Sequence, residues 1–157
     1  MDEAMKSIIF SHLPTAVVVA SLTAGLSSAF AGFANSNPLP EPLCTMKYLV
    51  PAGDFTRSAS SDAFVRTEKS SIDLQLHTDA GSDDAYRQIF SISWSNFDTG
   101  TIGTAETSAP VEGPDNVLNV FRVPTGAGKL SLVLRVSNRG EEQKVTTGEC
   151  HAEFHAR

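Results

Sequence analysis

Alternation of apolar and polar residues, broken at Leu49 and Val133, is the feature that most limits how this chain can fold. It runs through residues 44–50, 72–77, 90–95 and 130–137. Because successive side chains of a β-strand point to opposite faces, this period of two predicts strands that are buried on one side only. After residue 40 no segment has a convincing helical period, so the sequence predicts an all-β fold.

The strand segments are short and are separated by turns rich in glycine and proline. This arrangement predicts about seven strands in two packed antiparallel sheets, with a small antiparallel barrel as the alternative. The β-sandwich is expected to be jelly-roll-like or otherwise unrelated to immunoglobulin domains, because the two cysteines lie too far apart in sequence for that fold. Residues 62–68 and 101–107 are predicted as weak edge strands, and residues 84–88 as a possible helical turn.

Two glycine-containing segments lead to more specific predictions. Residues 116–137 contain two apolar runs around a loop at 124–128, a pattern that predicts a β-hairpin. In the last predicted strand, Gly148 interrupts the alternation and indicates a β-bulge.

The N-terminal region has the composition of an export signal. Residues 7–40 contain no charged residue, and Ala29 and Ala31 form the A-x-A pattern of a cleavage site. We therefore predict a cleavable signal peptide at 1–31, an extended linker at 32–43 and a single all-β domain at 44–157. Translation from Met5 instead of Met1 would remove two unusual acidic residues. A permanent anchor is the alternative, but Pro14 makes it a poor spanning helix.

The sequence contains two cysteines, Cys44 and Cys150, which lie 106 positions apart. An exported protein with one cysteine pair normally oxidises it, so we predict a disulfide bond between them and a secreted or periplasmic location. The alternative is a pair of free thiols or a thiolate metal site.

The charge balance excludes two classes of partner. The formal net charge is −6 at pH 7 and no basic run is present. Nucleic acids and anionic membrane surfaces are bound by clustered Lys and Arg. We therefore expect no nucleic-acid partner, and no stable membrane insertion once the signal peptide is cleaved.

The C-terminal stretch ECHAEFHAR contains a candidate metal site. In a strand, His151, Glu153 and His155 share one face, and neighbours two positions apart lie about 6.5–7 Å from each other. Two of them could bind Zn²⁺ or Cu²⁺, and His77 would complete the set if it lay beside them. The alternative is an ordinary solvated strand face opposite Cys150.

The loop HTDAGSDDAY contains a candidate calcium site at Asp79, Asp83 and Asp84. Ca²⁺ prefers such oxygen ligands, although the spacing differs from an EF-hand loop. The alternative is a solvated turn, in which aspartate and glycine satisfy turn geometry.

One row of aromatic and aliphatic side chains, at Phe90, Ile92 and Trp94, could serve as a glycan platform. Its alternation with serines instead predicts a core-facing row.

Taken together, these features favour an exported, disulfide-closed binding or structural module with an unknown protein or glycan partner. The alternative is a metal-binding protein or small metalloenzyme that uses the C-terminal His-x-Glu-x-His stretch. No cluster of catalytic residue types stands out, so a role without catalysis is favoured.

Overall fold

Eight β-strands and one short 3₁₀ turn form the regular structure of residues 41–157, the part of the chain that the computed structural model describes. The signal peptide predicted at 1–31 and most of the predicted linker lie outside these residues. The 3₁₀ turn, Glu141–Gln143, joins the last two strands. The strands are β1 (Cys44–Leu49), β2 (Ser58–Glu68), β3 (Ser71–Asp79), β4 (Tyr86–Asn96), β5 (Ile102–Val111), β6 (Asn116–Val123), β7 (Gly128–Arg139) and β8 (Val145–Ala156).

The strands form two antiparallel sheets of four strands each. The first sheet has the order β1-β2-β3-β6 and the second has the order β5-β4-β7-β8. The two sheets pack face to face, so the predicted β-sandwich is confirmed, with eight strands instead of about seven. Within the described part of the chain, no helix is long and apolar enough to cross a membrane.

The core lies between the sheets and is filled by the apolar members of the alternating rows. The period of two therefore correctly identifies the inward faces, including the row at Phe90, Ile92 and Trp94. The largest fully buried apolar side chains are Phe90, Met46, Ile72, Leu74, Leu76, Ile92, Leu130, Leu132 and Leu134. Trp94 is also buried, and its ring covers Gly103, where an added Cβ atom would lie 2.6 Å from the ring.

The predicted hairpin at residues 116–137 is wrong. Strand β6 pairs with β3 in the first sheet, whereas β7 pairs with β4 and β8 in the second. The intervening loop therefore crosses from one sheet to the other. The Asn96 side chain holds this loop, since its amide nitrogen donates to the backbone oxygens of Thr125 at 2.9 Å and Ala127 at 3.0 Å.

Three further local predictions are corrected by the structure. Strand β2 lies between β1 and β3, where Ala59, Ser61 and Ala63 are buried, so it is not an edge strand. The helical turn expected at 84–88 is the approach to β4 and its first residues. Only β5, of the two predicted edges, lies at an edge.

Gly148 marks a close contact between strands and not a bulge. Strand β8 pairs with β7 in unbroken register through this position. An added Cβ atom would lie 3.1 Å from the Tyr48 ring and 3.2 Å from Cβ of Met46. Glycine therefore allows β8 to approach β1, which belongs to the other sheet.

The predicted disulfide bond, Cys44–Cys150, is confirmed and joins these same two strands. Their Cα atoms are 6.3 Å apart. Because β1 is an edge of the first sheet and β8 an edge of the second, the bond closes one side of the sandwich.

A cluster of hydrogen-bonded polar side chains lies inside the sandwich. The amide nitrogen of Gln88 donates to the Tyr48 hydroxyl and to Asn138 Oδ1, each at 2.9 Å, and its oxygen accepts from Thr78 at 2.8 Å. Burial, together with a hydrogen bond to Tyr48, raises the pKa of the neighbouring Tyr86 hydroxyl far above its ordinary value.

Candidate functional site

A groove crosses the outer face of the first sheet, on strands β2, β3 and β6. It encloses about 180 Å³. The outward-facing side chains that line this outer groove are Phe64, Arg66, Asp73, Gln75, His77, Asn119 and Phe121.

Strand register places these side chains in rows across the sheet. Phe64 is opposite Gln75, which is opposite Asn119, so an aromatic ring and two amides form one row. His77 belongs to the next row and Asp73 to the row on the other side, opposite Arg66. Outward positions two apart lie about 6.5–7 Å from each other, which is a suitable spacing for a small ligand.

Aromatic rings form the apolar part of the outer groove. The Phe64 ring meets the His77 ring edge to face, with centroids 5.0 Å apart and planes at 69°. Phe121 is 65% exposed, although most phenylalanine side chains are buried. Its ring is therefore available to a ligand.

A β-bulge shapes the end of the groove near Phe121. The register between β3 and β6 shifts between Ile72 and Leu74, so two residues of β6 oppose Asp73 alone. Arg122, the second of the two, has a φ of 55°, which is unfavourable for a side chain of this size. Its backbone amide donates to Asp73 Oδ1 at 2.7 Å. Such bulges redirect the side chains beside them, here the exposed Phe121.

A directional chain of hydrogen bonds runs along the groove. Nε2 of His77 donates to Gln75 Oε1 at 2.9 Å, and Nε2 of Gln75 donates to Asn119 Oδ1 at 3.1 Å. Both side-chain polar atoms of Gln75 are thus engaged. The chain fixes the orientation of the three side chains, and no residue of 41–157 accepts a hydrogen bond from the amide N–H groups of Asn119.

The residues of the predicted C-terminal metal site lie on the outer face of the second sheet. His151, Glu153 and His155 all point outward from β8, as predicted. Nε2 of His151 lies 3.1 Å from Glu149 Oε1, and Lys129 forms an ion pair of 3.0 Å with Glu153. Within residues 41–157 no group of three or more His, Cys, Asp or Glu side chains is placed to bind one metal ion.

His77 does not join that row. It belongs to β3 of the first sheet and points into the outer groove, on the opposite outer face from β8. The four-residue set is therefore divided between two surfaces. Zn²⁺ or Cu²⁺ binding by the β8 residues stays a prediction.

Near β8, an arginine changes the acidity of one carboxyl group. Arg135 forms an ion pair with Glu149 from the adjacent strand β7. Hydrogen bonds from this guanidinium lower the pKa of Glu149, and the neighbouring His151 lowers it further.

The three aspartates of the predicted calcium loop have separate partners. Asp79 Oδ1 accepts a hydrogen bond from the Gly81 amide at 3.0 Å, as in an Asx turn. Asp84 pairs with Arg57 at 3.3 Å. Asp83 is exposed, and calcium binding here likewise stays a prediction.

Sequence reasoning missed the outer groove, although a signal for it was present. Phe64 and Phe121 occupy polar-face positions of β2 and β6, where the alternation calls for hydrophilic residues. An aromatic residue on the solvated face of a strand is a reason to suspect a binding surface. The bulge, which depends on pairing between distant strands, has no comparable local signal.

A comparison with known proteins finds no family model, no curated protein and no solved structure that matches this chain. Its function is therefore inferred from the outer groove itself.

Proposed function

We propose that this protein is an exported, disulfide-closed binding module, and that its outer groove binds a glycan. The exposed ring of Phe121, next to an ordered row of polar side chains, is the observation that carries this proposal. A secreted or periplasmic location is supported by the Cys44–Cys150 bond, because such bonds persist in oxidising compartments. The signal peptide expected from the sequence agrees with it.

The chemistry of the outer groove suits a sugar ring. A sugar presents an apolar face of C–H groups and a rim of hydroxyls, so its binding sites combine aromatic rings with amides and charged groups. Phe64 and Phe121 supply the rings, and Asn119, Asp73 and Arg66 supply the hydrogen-bonding groups. Their mutual hydrogen bonds orient several of these groups before a ligand arrives, which lowers the entropic cost of binding.

The size of the outer groove favours a sugar over a protein partner. A stable protein interface buries about 800 Å² on each side around an apolar centre. The groove has a volume of about 180 Å³, and Phe121 is the only strongly exposed apolar residue among the described ones that line it. Val117 and Leu49, on the same outer face, are less exposed. The volume of the groove is on the scale of one or two sugar rings.

The test is a binding screen on the mature protein with two probe sets, an immobilised glycan array and a library of unmodified peptides. We expect binding to a subset of glycans and a loss of about tenfold in affinity for Phe121→Ala, since a stacked ring is removed. Phe97→Ala is the matched control, because Phe97 is 59% exposed but lies in the turn directly after β4, away from the first sheet. It should bind normally.

Two results would overturn the proposal. One is binding to peptides alone, which would identify a protein partner. The other is glycan binding that Phe121→Ala leaves unchanged, which would place the site elsewhere on the molecule. The location is tested separately by fractionation of the source cells, and a cytoplasmic, uncleaved protein would contradict export.

A further inference from the structure

We infer that the sugar bound in the outer groove carries a carboxylate group and that Arg66 binds it. This inference rests on the proposed function, because it names the class of glycan that the same groove accepts. It depends on which hydrogen-bonding groups of the groove are already engaged by the protein itself.

Most acceptors in the outer groove are already used. Gln75 Oε1 accepts from His77, Asn119 Oδ1 accepts from Gln75, and one carboxylate oxygen of Asp73 accepts from the backbone amide of Arg122. The groups left for a ligand are mainly donors, namely the amide N–H groups of Asn119 and the guanidinium of Arg66. A ligand rich in acceptors therefore fits this groove better than one rich in donors.

Seven arginines belong to residues 41–157, and the side chains of Arg66, Arg122, Arg139 and Arg157 make no hydrogen bond or ion pair within that range. Of these four, Arg66 is the one that lines the outer groove. Arg57 pairs with Asp84, Arg135 pairs with Glu149, and Arg87 donates to Ser108. Arg66 makes no side-chain hydrogen bond or ion pair with any residue in the range 41–157, although Asp73 is its partner in strand register. Its planar guanidinium lines the groove with donors that no residue of 41–157 engages, and the planar fork of donors suits a carboxylate in two-point contact.

The same groove disfavours a polyanion. Arg66 is the one permanently cationic side chain among the residues lining it, and Asp73 beside it is anionic. The whole chain has a net charge of −6, which repels a densely charged polymer. A ring with one carboxylate and several hydroxyls suits these charges. Its carboxylate can pair with Arg66, and the second carboxylate oxygen of Asp73 can accept a hydrogen bond from a hydroxyl. The ligand class is therefore a saccharide with a single carboxylate, such as one uronic acid unit or a monosialylated glycan.

The experiment is calorimetric titration of the mature protein with matched acidic and neutral sugars. The acidic probes are galacturonic acid and sialyllactose, and their neutral counterparts are the methyl ester of galacturonic acid and lactose. We expect at least one acidic probe to bind about tenfold more tightly than its counterpart. Higher salt should weaken that preference, because the ion pair is partly exposed. The two acidic arms distinguish uronic from sialic acids.

Variants assign the preference to Arg66. Arg66→Ala should remove the preference, so that the acidic and neutral probes of a pair bind with equal affinity, whereas Arg66→Lys should retain part of the preference. Phe121→Ala should weaken both probes of a pair. Arg139→Ala, which removes an exposed arginine from β7 in the second sheet, is the matched control and should leave binding unaltered.

The outcomes separate this inference from the proposed function. Equal affinity for acidic and neutral sugars, with both lost in Phe121→Ala, would overturn the inference and leave the glycan-binding groove standing. A preference for the acid that survives in Arg66→Ala would also overturn it. Binding to none of these sugars, together with no binding on the glycan array, would overturn both.

Discussion

The side-chain amide of Gln88 donates a hydrogen bond of 2.9 Å to the hydroxyl of Tyr48, which belongs to the opposite sheet. Gln88 is fully buried, and it also bonds Asn138 on its own sheet and Thr78 across the sandwich. A polar side chain in an apolar core is tolerated only when its groups are bonded. Gln88 therefore connects the two sheets through side-chain hydrogen bonds.

Replacing Gln88 should destabilise the protein even when the side-chain volume is conserved. Gln88→Leu keeps the volume but leaves the buried groups of Tyr48, Thr78 and Asn138 short of one partner each. We expect a loss of about 3 kcal/mol in the free energy of unfolding, measured by urea denaturation. Gln143→Ala, at an exposed turn, should cost less than about 0.5 kcal/mol. Equal losses in the two variants would show that the hydrogen bonds of the buried cluster do not add to the free energy of unfolding.

Removal of the disulfide bond should lower stability by a similar amount. The bond closes a loop of 106 positions, and the loop-closure entropy of the unfolded chain gives about 4–5 kcal/mol for a loop of this length. Cys44→Ala/Cys150→Ala should lower the free energy of unfolding by about this much in denaturant titrations. Reduction of the wild-type protein should produce the same loss. A double variant as stable as the oxidised protein would contradict this expectation.

The ion pair between Arg135 and Glu149 predicts a stability difference that depends on pH. The guanidinium lowers the pKa of Glu149, so the folded state favours the ionised carboxylate. The resulting stabilisation is present above the unfolded pKa, about 4.3, and is lost as the pH falls through the lower folded value. The melting temperature of wild type should exceed that of Arg135→Gln at neutral pH, and this difference should shrink in acid.

Titration of Glu149 by NMR provides the direct check on that ion pair. Its pKa should rise in Arg135→Gln, whereas the control Arg139→Gln should leave it unchanged. An unchanged pKa in Arg135→Gln would show that the hydrogen bonds of Arg135 do not set the acidity of this carboxyl.

The sequence predicts the inward faces well and the connections poorly. Alternation at Phe90, Ile92 and Trp94 correctly indicates core positions, since an apolar row must be buried whichever strands lie next to it. The order of strands depends on contacts between distant segments. A glycine-containing loop suits a hairpin as well as a crossing between sheets, so the local sequence after β6 does not distinguish the two connections.

The candidate site is harder to predict for the same reason. Phe64 and Phe121 lie 57 positions apart, and only the pairing of β3 with both β2 and β6 brings them to one groove. By contrast, His151, Glu153 and His155 are conspicuous because they are close in sequence. These three residues form an exposed row on the single strand β8, whereas the outer groove is formed by side chains from β2, β3 and β6.

The aspartate loop should not bind calcium tightly. Asp79 and Asp84 are engaged with Gly81 and Arg57, and the loop would have to exchange these contacts for a cation. We expect equal melting temperatures with and without Ca²⁺ in a thermal-shift assay. Stabilisation by Ca²⁺ that disappears in Asp83→Ala would instead establish the site predicted from the sequence.

The histidines of β8 give the decisive test of the alternative, metal-dependent function. Glu149 and Glu153 already pair with Arg135 and Lys129, and a metal ion would have to displace these cations or bind His151 with few other ligands. For a glycan-binding module we expect Zn²⁺ or Cu²⁺ to shift the melting temperatures of wild type and His151→Ala/His155→Ala equally. A ligand that binds only the folded state raises stability by RT ln(1 + [L]/Kd), so a tight site would be evident.

His77→Ala is the control for unspecific histidine binding, because it removes an imidazole from the other sheet. Stabilisation of wild type and His77→Ala that vanishes in the β8 double variant would contradict the expectation and favour a metal-binding protein or small metalloenzyme.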